Sequence, residues 1–202
     1  MYVIKWVMCM RYAEDHKQAT HAKVLKAASR VIRENGPDRI AVAGIMAEVG
    51  LTHGGFYAHF ASKDDLLVEA IGQMFVEARD NFEARTANLP PREALKSYLD
   101  FYLSATHRDR RDRGCPLPAL AADLARLPEA SRETYGRGVA ALTRKIAQLM
   151  EAVGLANAPG LASSVLSEMV GAVALSRAIS DPDQSDTILS AARESIRGRV
   201  GV

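Results

Sequence analysis

Apolar positions recur at helical spacing along most of this 202-residue chain. Val24, Leu25, Ala28, Val31 and Ile32 form one stripe, with Lys17, Lys23, Lys26, Arg30 and Arg33 on other faces, predicting a helix from about Asp15 to Asn35. Asn35-Gly36-Pro37 ends it. Val42, Ile45, Met46 and Val49 mark a short second helix, and Thr52 to Phe60 a third. Ser62, with Asp65 three residues on, caps a longer helix carrying Leu67, Ile71, Met74, Phe75, Ala78 and Phe82 to about Asn88. After Pro90-Pro91, Leu95, Tyr98, Leu99, Tyr102 and Leu103 predict a helix to about His107. The charged run from Arg108 to Gly114 reads as a loop.

Pro116 suits the first turn of a helix carrying Leu117, Leu120, Ala121, Leu124 and Leu127. Val139, Leu142, Ile146, Leu149, Met150 and Val153 form the next, ended near Gly154; two more run from Pro159 to Ser180 and from Asp181 onward. No strand pattern or internal repeat is evident. The expected class is all-α, with about nine helices.

The stretch Val42 to Leu66 is the most specific. Gly50 stands where a helix must stop, because glycine enters the left-handed region without steric cost. Thr52 offers a hydroxyl to cap the third helix. Two short helices joined by a tight glycine turn make a helix-turn-helix, whose second member lies in a DNA major groove. The expected organisation is a three-helix head over residues 11–62 and a helical body over 63–202.

Charge and composition add little. Residues 1–65 carry nine Lys/Arg against seven Asp/Glu, the rest 17 of each, so any basic excess sits in the head. Cys9 and Cys115 are too few for a disulfide scaffold, and a reducing, cytoplasmic setting is expected. No apolar run is expected to span a bilayer. Residues 1–9 are short and apolar without a cleavage site, and read as an over-extended start or an ordered arm.

Glu168 and Arg177 are the only charges between Pro159 and Ser180. A helix so apolar must be buried on most sides, inside a monomeric bundle or, as favoured here, partly against a second subunit through the last two helices. Phe75, Phe82, Leu99, Tyr102, His107, Leu120, Tyr135 and Met169 are candidates to line a body cavity. Cys115 would sit at the start of the Pro116 helix beside Arg108, Arg110, Arg111 and Arg113, a setting that favours thiolate, although Asp109 and Asp112 oppose it. Redox or electrophile sensing there is one reading; a small buried apolar cysteine is the other.

The run G-L-T-H-G-G-F-Y-A-H-F-A-S-K-D-D-L-L from Gly50 resembles the signature of the TetR/AcrR transcriptional regulators, and the likeness covers about Val24 to Leu67. Ala41 departs from it, where many members carry a Thr or Ser cap. G-C-P-L-P-A-L-A-A-D-L is similar to a subset that includes electrophile-responsive repressors. The resemblance implies a homodimer whose heads read a palindromic double-stranded operator, with a small-molecule effector inside the body. It places Thr52, His53 and Gly54 at the groove-facing start, Tyr57 and His59 on phosphates or base edges, and Lys63 on phosphate.

His53 and His59 lack the spacing of a one-face metal pair, and neither a nucleophile elbow nor a phosphate-cradling glycine loop occurs. No metal, cofactor or catalytic residue is expected. The rivals from other classes are a helical ligand-binding or sensor protein whose head does not bind DNA and a small all-α enzyme using Cys115 and His107.

Overall fold

The computed structural model describes the backbone of residues 2–202 and the side chains from residue 14 onward. The described residues are helical without strands. Helix α1 (Tyr2–Asn35) begins before the expected Asp15. The side chains of residues 1–9, and so their reading as an arm, lie outside the described residues. Then come α2 (Val42–Glu48), a 3-10 segment (His53–Ala58), α3 (Lys63–Thr86) and α4 (Pro91–Tyr102). The body continues through α5 (Ala105–Asp109), α6 (Pro116–Leu120), α7 (Glu129–Val153), α8 (Ala158–Ala178) and α9 (Pro182–Val200).

Two apolar cores organise these elements. The first gathers Val24, Ala28 and Ile32 of α1, Ile45 and Met46 of α2, Phe56, Phe60, and Leu66, Leu67, Ala70, Ile71 and Met74 of α3. The second gathers Phe82 of α3 with Leu95, Leu99, Tyr102, Leu142, Ile146, Met150, Val165, Met169 and Val173. Helix α3 therefore contributes one end to each core.

Several predicted boundaries are corrected. The helix expected to run to His107 breaks at Leu103, because the Ser104 hydroxyl accepts the His107 amide at 3.1 Å and starts α5. The expected loop from Arg108 to Gly114 is in part helical, with α5 reaching Asp109 and a 3-10 turn over Arg111–Arg113. The Pro116 helix stops at Leu120 rather than reaching Leu127. Leu117 belongs to the body core while Leu120 and Leu124 belong to the head core, so this short segment lies across the junction of the two.

Helix α8 also departs from expectation. It is long and apolar enough, with a mean hydropathy of 1.4, to cross a membrane by length and composition. Its Ala162, Val165, Leu166, Met169 and Val173 are instead buried against the other helices. Leu175 is 59% exposed on its outer face.

Arg33, expected on a polar face of α1, is only 4% exposed. It donates to a Glu77 carboxylate oxygen of α3 at 2.7 Å, and its Nε has no partner. Nearby, Arg111 donates to the Glu34 carbonyl at 3.1 Å, tying the 111–113 turn to the end of α1. A buried charge is costly to leave alone, so this pair fixes where α1 sits on α3.

Helices α3 and α7 approach closely at Gly138, where an added Cβ would fall 2.3 Å from the Phe75 ring. Gly138→Ala is expected to cost about 1–3 kcal/mol through overpacking. A urea unfolding midpoint equal to the parent's contradicts this.

Candidate nucleic-acid interface

The turn after α2 is built by hydrogen bonds that only a left-handed residue permits. Gly50 has φ 76, its N–H donates to the Ala47 carbonyl at 3.0 Å, and the Leu51 N–H donates to the Met46 carbonyl at 2.8 Å. This is a Schellman closure, and the left-handed φ is what requires glycine. The chain leaves α2 at a fixed angle.

The next segment differs from the prediction. Residues His53–Ala58 form a 3-10 segment rather than an α-helix, and Thr52 occupies the cap position without a side-chain cap bond. Gly54 and Gly55 each disfavour an α-helix by about 1 kcal/mol relative to Ala, so winding alone does not hold this segment. Packing holds the segment. Phe56 and Phe60 are each 2% exposed and stack at 5.4 Å, while His21 of α1 stacks on Phe60 at 4.5 Å and meets Glu69 at 3.2 Å. Leu51 closes the cluster from the side.

With those rings inward, the opposite side is free. Tyr57 is 68% exposed, and Thr52, His53 and Gly54 are exposed beside it. His53 and Tyr57 meet edge to face at 6.4 Å. Lys63 is exposed at the first turn of α3. That turn is capped as predicted: Ser62 Oγ accepts the Asp65 amide at 3.0 Å, and the Asp65 carboxylate accepts the Ala61 amide at 2.9 Å. His59 is the exception. It is half-buried near His21, its Nδ1 has no partner, and burial, then His21 and Lys17, lower its pKa. It offers less to a partner than Tyr57 does.

The body candidates separate. Phe82, Tyr102, His107, Cys115 and Met169 are buried, while Phe75 and Tyr135 are half-buried and meet edge to face at 5.5 Å. Tyr102, His107 and Cys115 share a cavity of about 20 Å³, room for one water. Phe75 borders a separate, mainly apolar cavity of about 160 Å³ between α3 and α7. Phe82, Tyr135 and Met169 line neither.

His107 staples the α4–α5 connection. Its Nε2 accepts the Cys115 amide at 3.0 Å, so the ring proton is on Nδ1, which donates to the Tyr102 carbonyl at 2.7 Å. Arg177 of α8 donates to the carbonyls of His107 and Arg108. The neighbouring Tyr102 hydroxyl is buried without a partner.

The thiolate reading of Cys115 is not supported. Burial raises its pKa above the ordinary thiol value, more than Tyr102, Leu117, Arg33 and Arg177 lower it. The arginines named for activating it are engaged by other groups: Arg108 pairs with Asp109 and Asp186, Arg110 and Arg113 with Asp112, and Arg111 donates to the Glu34 carbonyl. Among the described residues, no group of three His, Cys, Asp or Glu side chains is placed to hold a metal ion.

Comparison with known proteins agrees with this architecture. The family described as "Bacterial regulatory proteins, tetR family" matches residues 24–70, and "Transcriptional regulator LmrA/YxaF-like, C-terminal domain" matches 91–193. The HTH-type transcriptional regulator YerO of Bacillus subtilis is 33% identical over 94 residues, 45% of this chain and 31% of that protein. An HTH-type transcriptional repressor of Mycobacterium tuberculosis is 30% identical over 95 residues, 47% of this chain and 46% of that protein. The matched stretches thus span about a third to a half of these curated relatives.

Among solved structures, a TetR transcriptional regulator from Chloroflexus aurantiacus has a TM-score of 0.79 at 23% identity, covering 93% of this chain and 96% of that one. The reduced form of Escherichia coli NemR has 0.78 at 15%, covering 89% and 96%. These structures share the fold. Head and body together define a helix-turn-helix transcriptional regulator. The chain belongs to the TetR family.

The buried imidazole yields a pH prediction. Burial, with smaller effects from Arg177 and Arg85, outweighs the Tyr102 hydrogen bond and lowers the His107 pKa from 6.5 to about 4. The unfolded chain therefore binds the proton more readily. Stability from this group is complete above about pH 6.5 and falls by roughly 3 kcal/mol as pH drops to 4. His107→Gln is expected to flatten that part of the curve in urea midpoints measured against pH; an unaltered slope contradicts it.

Proposed function

We propose that the chain is an effector-responsive repressor that binds a palindromic operator as a homodimer in the cytoplasm. The observation that carries this reading is the exposed patch of Thr52, His53, Gly54 and Tyr57, mounted on the Gly50 turn beside Lys63. Glycine at position 54 leaves open space where a Cβ would stand, so a phosphate or base edge can approach the backbone. Tyr57 and Lys63 supply the main backbone contacts, with His53 reaching a base edge and His59 contributing less. The head is residues 11–62 and the body 63–202.

The dimer forms through α8 and α9. Leu175 stands 59% exposed on α8, and Ser163, Ser164 and Ser167, about two to three turns earlier on the same helix, are exposed too. Covering Leu175 with a second copy removes its apolar surface from water. Two heads then meet successive major grooves about 34–36 Å apart. A small molecule in the body favours a spacing that no longer fits, through a differential affinity of about 1–3 kcal/mol. The role is regulatory rather than catalytic.

Selection of bound duplexes from a random pool tests the reading, and a palindrome is expected. In gel shifts on the selected duplex, affinity should fall by about 0.9 log units per log unit of salt for each phosphate neutralised. Lys63→Ala is expected to weaken binding to all sequences and lower that slope by about 1. If Lys63→Ala and Tyr57→Phe both leave binding unchanged, this interface is misplaced.

A further inference from the structure

We infer that the groove between α1, α2, α3 and the 111–113 turn is a binding site for a small organic oxyanion, which competes with Glu77 for Arg33. The inference rests on the effector-responsive reading above, and it gives the ligand a charge and a site at the junction of head and body rather than inside the body. The groove encloses about 700 Å³, within the range that holds a small molecule. Lys23, Lys26, Arg30, Arg33 and Arg113 line it against Glu48, Glu77 and Asp112, leaving two positive charges in excess.

The pairing within the groove is uneven. Arg30 holds Glu48 at 2.6 Å, and Arg113 meets Asp112 at 3.2 Å. Lys23 and Lys26 meet no carboxylate among the described residues. Arg33 is the independent sign of a ligand. Its guanidinium is more than nine-tenths buried, contacts one carboxylate at 2.7 Å and an Asp112 carbonyl at 3.5 Å, and leaves Nε unpartnered. A planar guanidinium matches a carboxylate through two parallel hydrogen bonds, which Glu77 does not provide here. Ala27 and Val49 give the groove apolar wall for an organic group.

Operator phosphate is the rival source of an anion. Lys23, Lys26, Arg30 and Arg33 share one face of α1, whereas His21, two residues from Lys23, stacks on Phe60 of the reading segment. Two residues are about 200° apart around a helix, so the groove lies on the flank of α1 away from that segment. The same groove borders the buried Tyr98–Tyr102 cavity, because Glu77, Asn81 and Arg113 line both. An anion that takes Arg33 from Glu77 removes one of the polar contacts that hold α1 on α3.

Benzoate, with benzamide as its neutral counterpart, is the probe. Calorimetric titration of the full chain at constant ionic strength should give benzoate at least tenfold tighter binding. Lys26→Gln should weaken benzoate several-fold while leaving the melting temperature of the free protein unchanged. Glu77→Gln should lower that temperature yet tighten benzoate, because the internal competitor is gone. Equal binding of the two probes, or benzoate affinity untouched by Lys26→Gln and Glu77→Gln, overturns the site. So does a Lys26→Gln variant that loses duplex affinity while keeping benzoate affinity, which assigns the groove to DNA phosphate. Duplex binding without benzoate is measured in parallel, and its absence fails the operator-binding reading without bearing on the anion site.

Discussion

One helix belongs to two cores, and the rest of the molecule depends on it. Leu66, Leu67, Ala70, Ile71 and Met74 of α3 complete the apolar interior beneath the turn, while Phe82, further along, enters the interior of the bundle. A helix is stiff over this length, so displacement at one end is transmitted to the other. The body can therefore act on the head without any side chain spanning the distance. Arg33 on Glu77 and Ser29 on the Ala70 carbonyl fasten α1 to the same rod.

The second link between the halves is irregular chain. From Leu103 to Leu127 the backbone changes direction repeatedly, held by the Ser104 cap, the His107 imidazole and Arg177. Short elements carry few hydrogen bonds of their own, so side chains set their positions here. Leu117 faces the body core, and Leu120 and Leu124 face the head core. A ligand that disturbs the His107 contacts therefore acts on both cores together.

How far the sequence revealed this depends on how local each signal is. The Gly50 turn, the Ser62 cap and the Gly154 stop were legible because each rests on a residue type with one conformational role. The long helices were legible because their buried stripes repeat over many turns. The 3-10 form of residues 53–58 was not, since Thr52 and the later apolar rings suit either winding and only packing decides. Burial of Arg33 was not legible either: a charge at a helical polar position looks solvated until the carboxylate 44 residues away is in place. Cys115 misled for the same reason, as neighbouring arginines in sequence proved to serve other carboxylates in space. At the proposed interface, Thr52, His53, Gly54, Tyr57 and Lys63 are exposed, as their place in the motif implies, whereas His59 is turned partly inward by packing that the motif does not show.

The 3-10 winding of the reading segment has a consequence for motion. At its ends the Gly55 amide reaches Thr52, and the His59 and Phe60 amides both converge on Phe56. By contrast, the Leu51 amide is locked into the end of α2. The hydrogen-bond geometry of a 3-10 winding is poorer than that of an α-helix, so the burial of Phe56 and Phe60, more than the winding, holds the segment closed. The amide hydrogen of Gly55 will then exchange when those rings leave the core, and that of Leu51 when the turn itself opens. The segment proposed to touch DNA thus owes its shape to two rings on its inner face rather than to its winding.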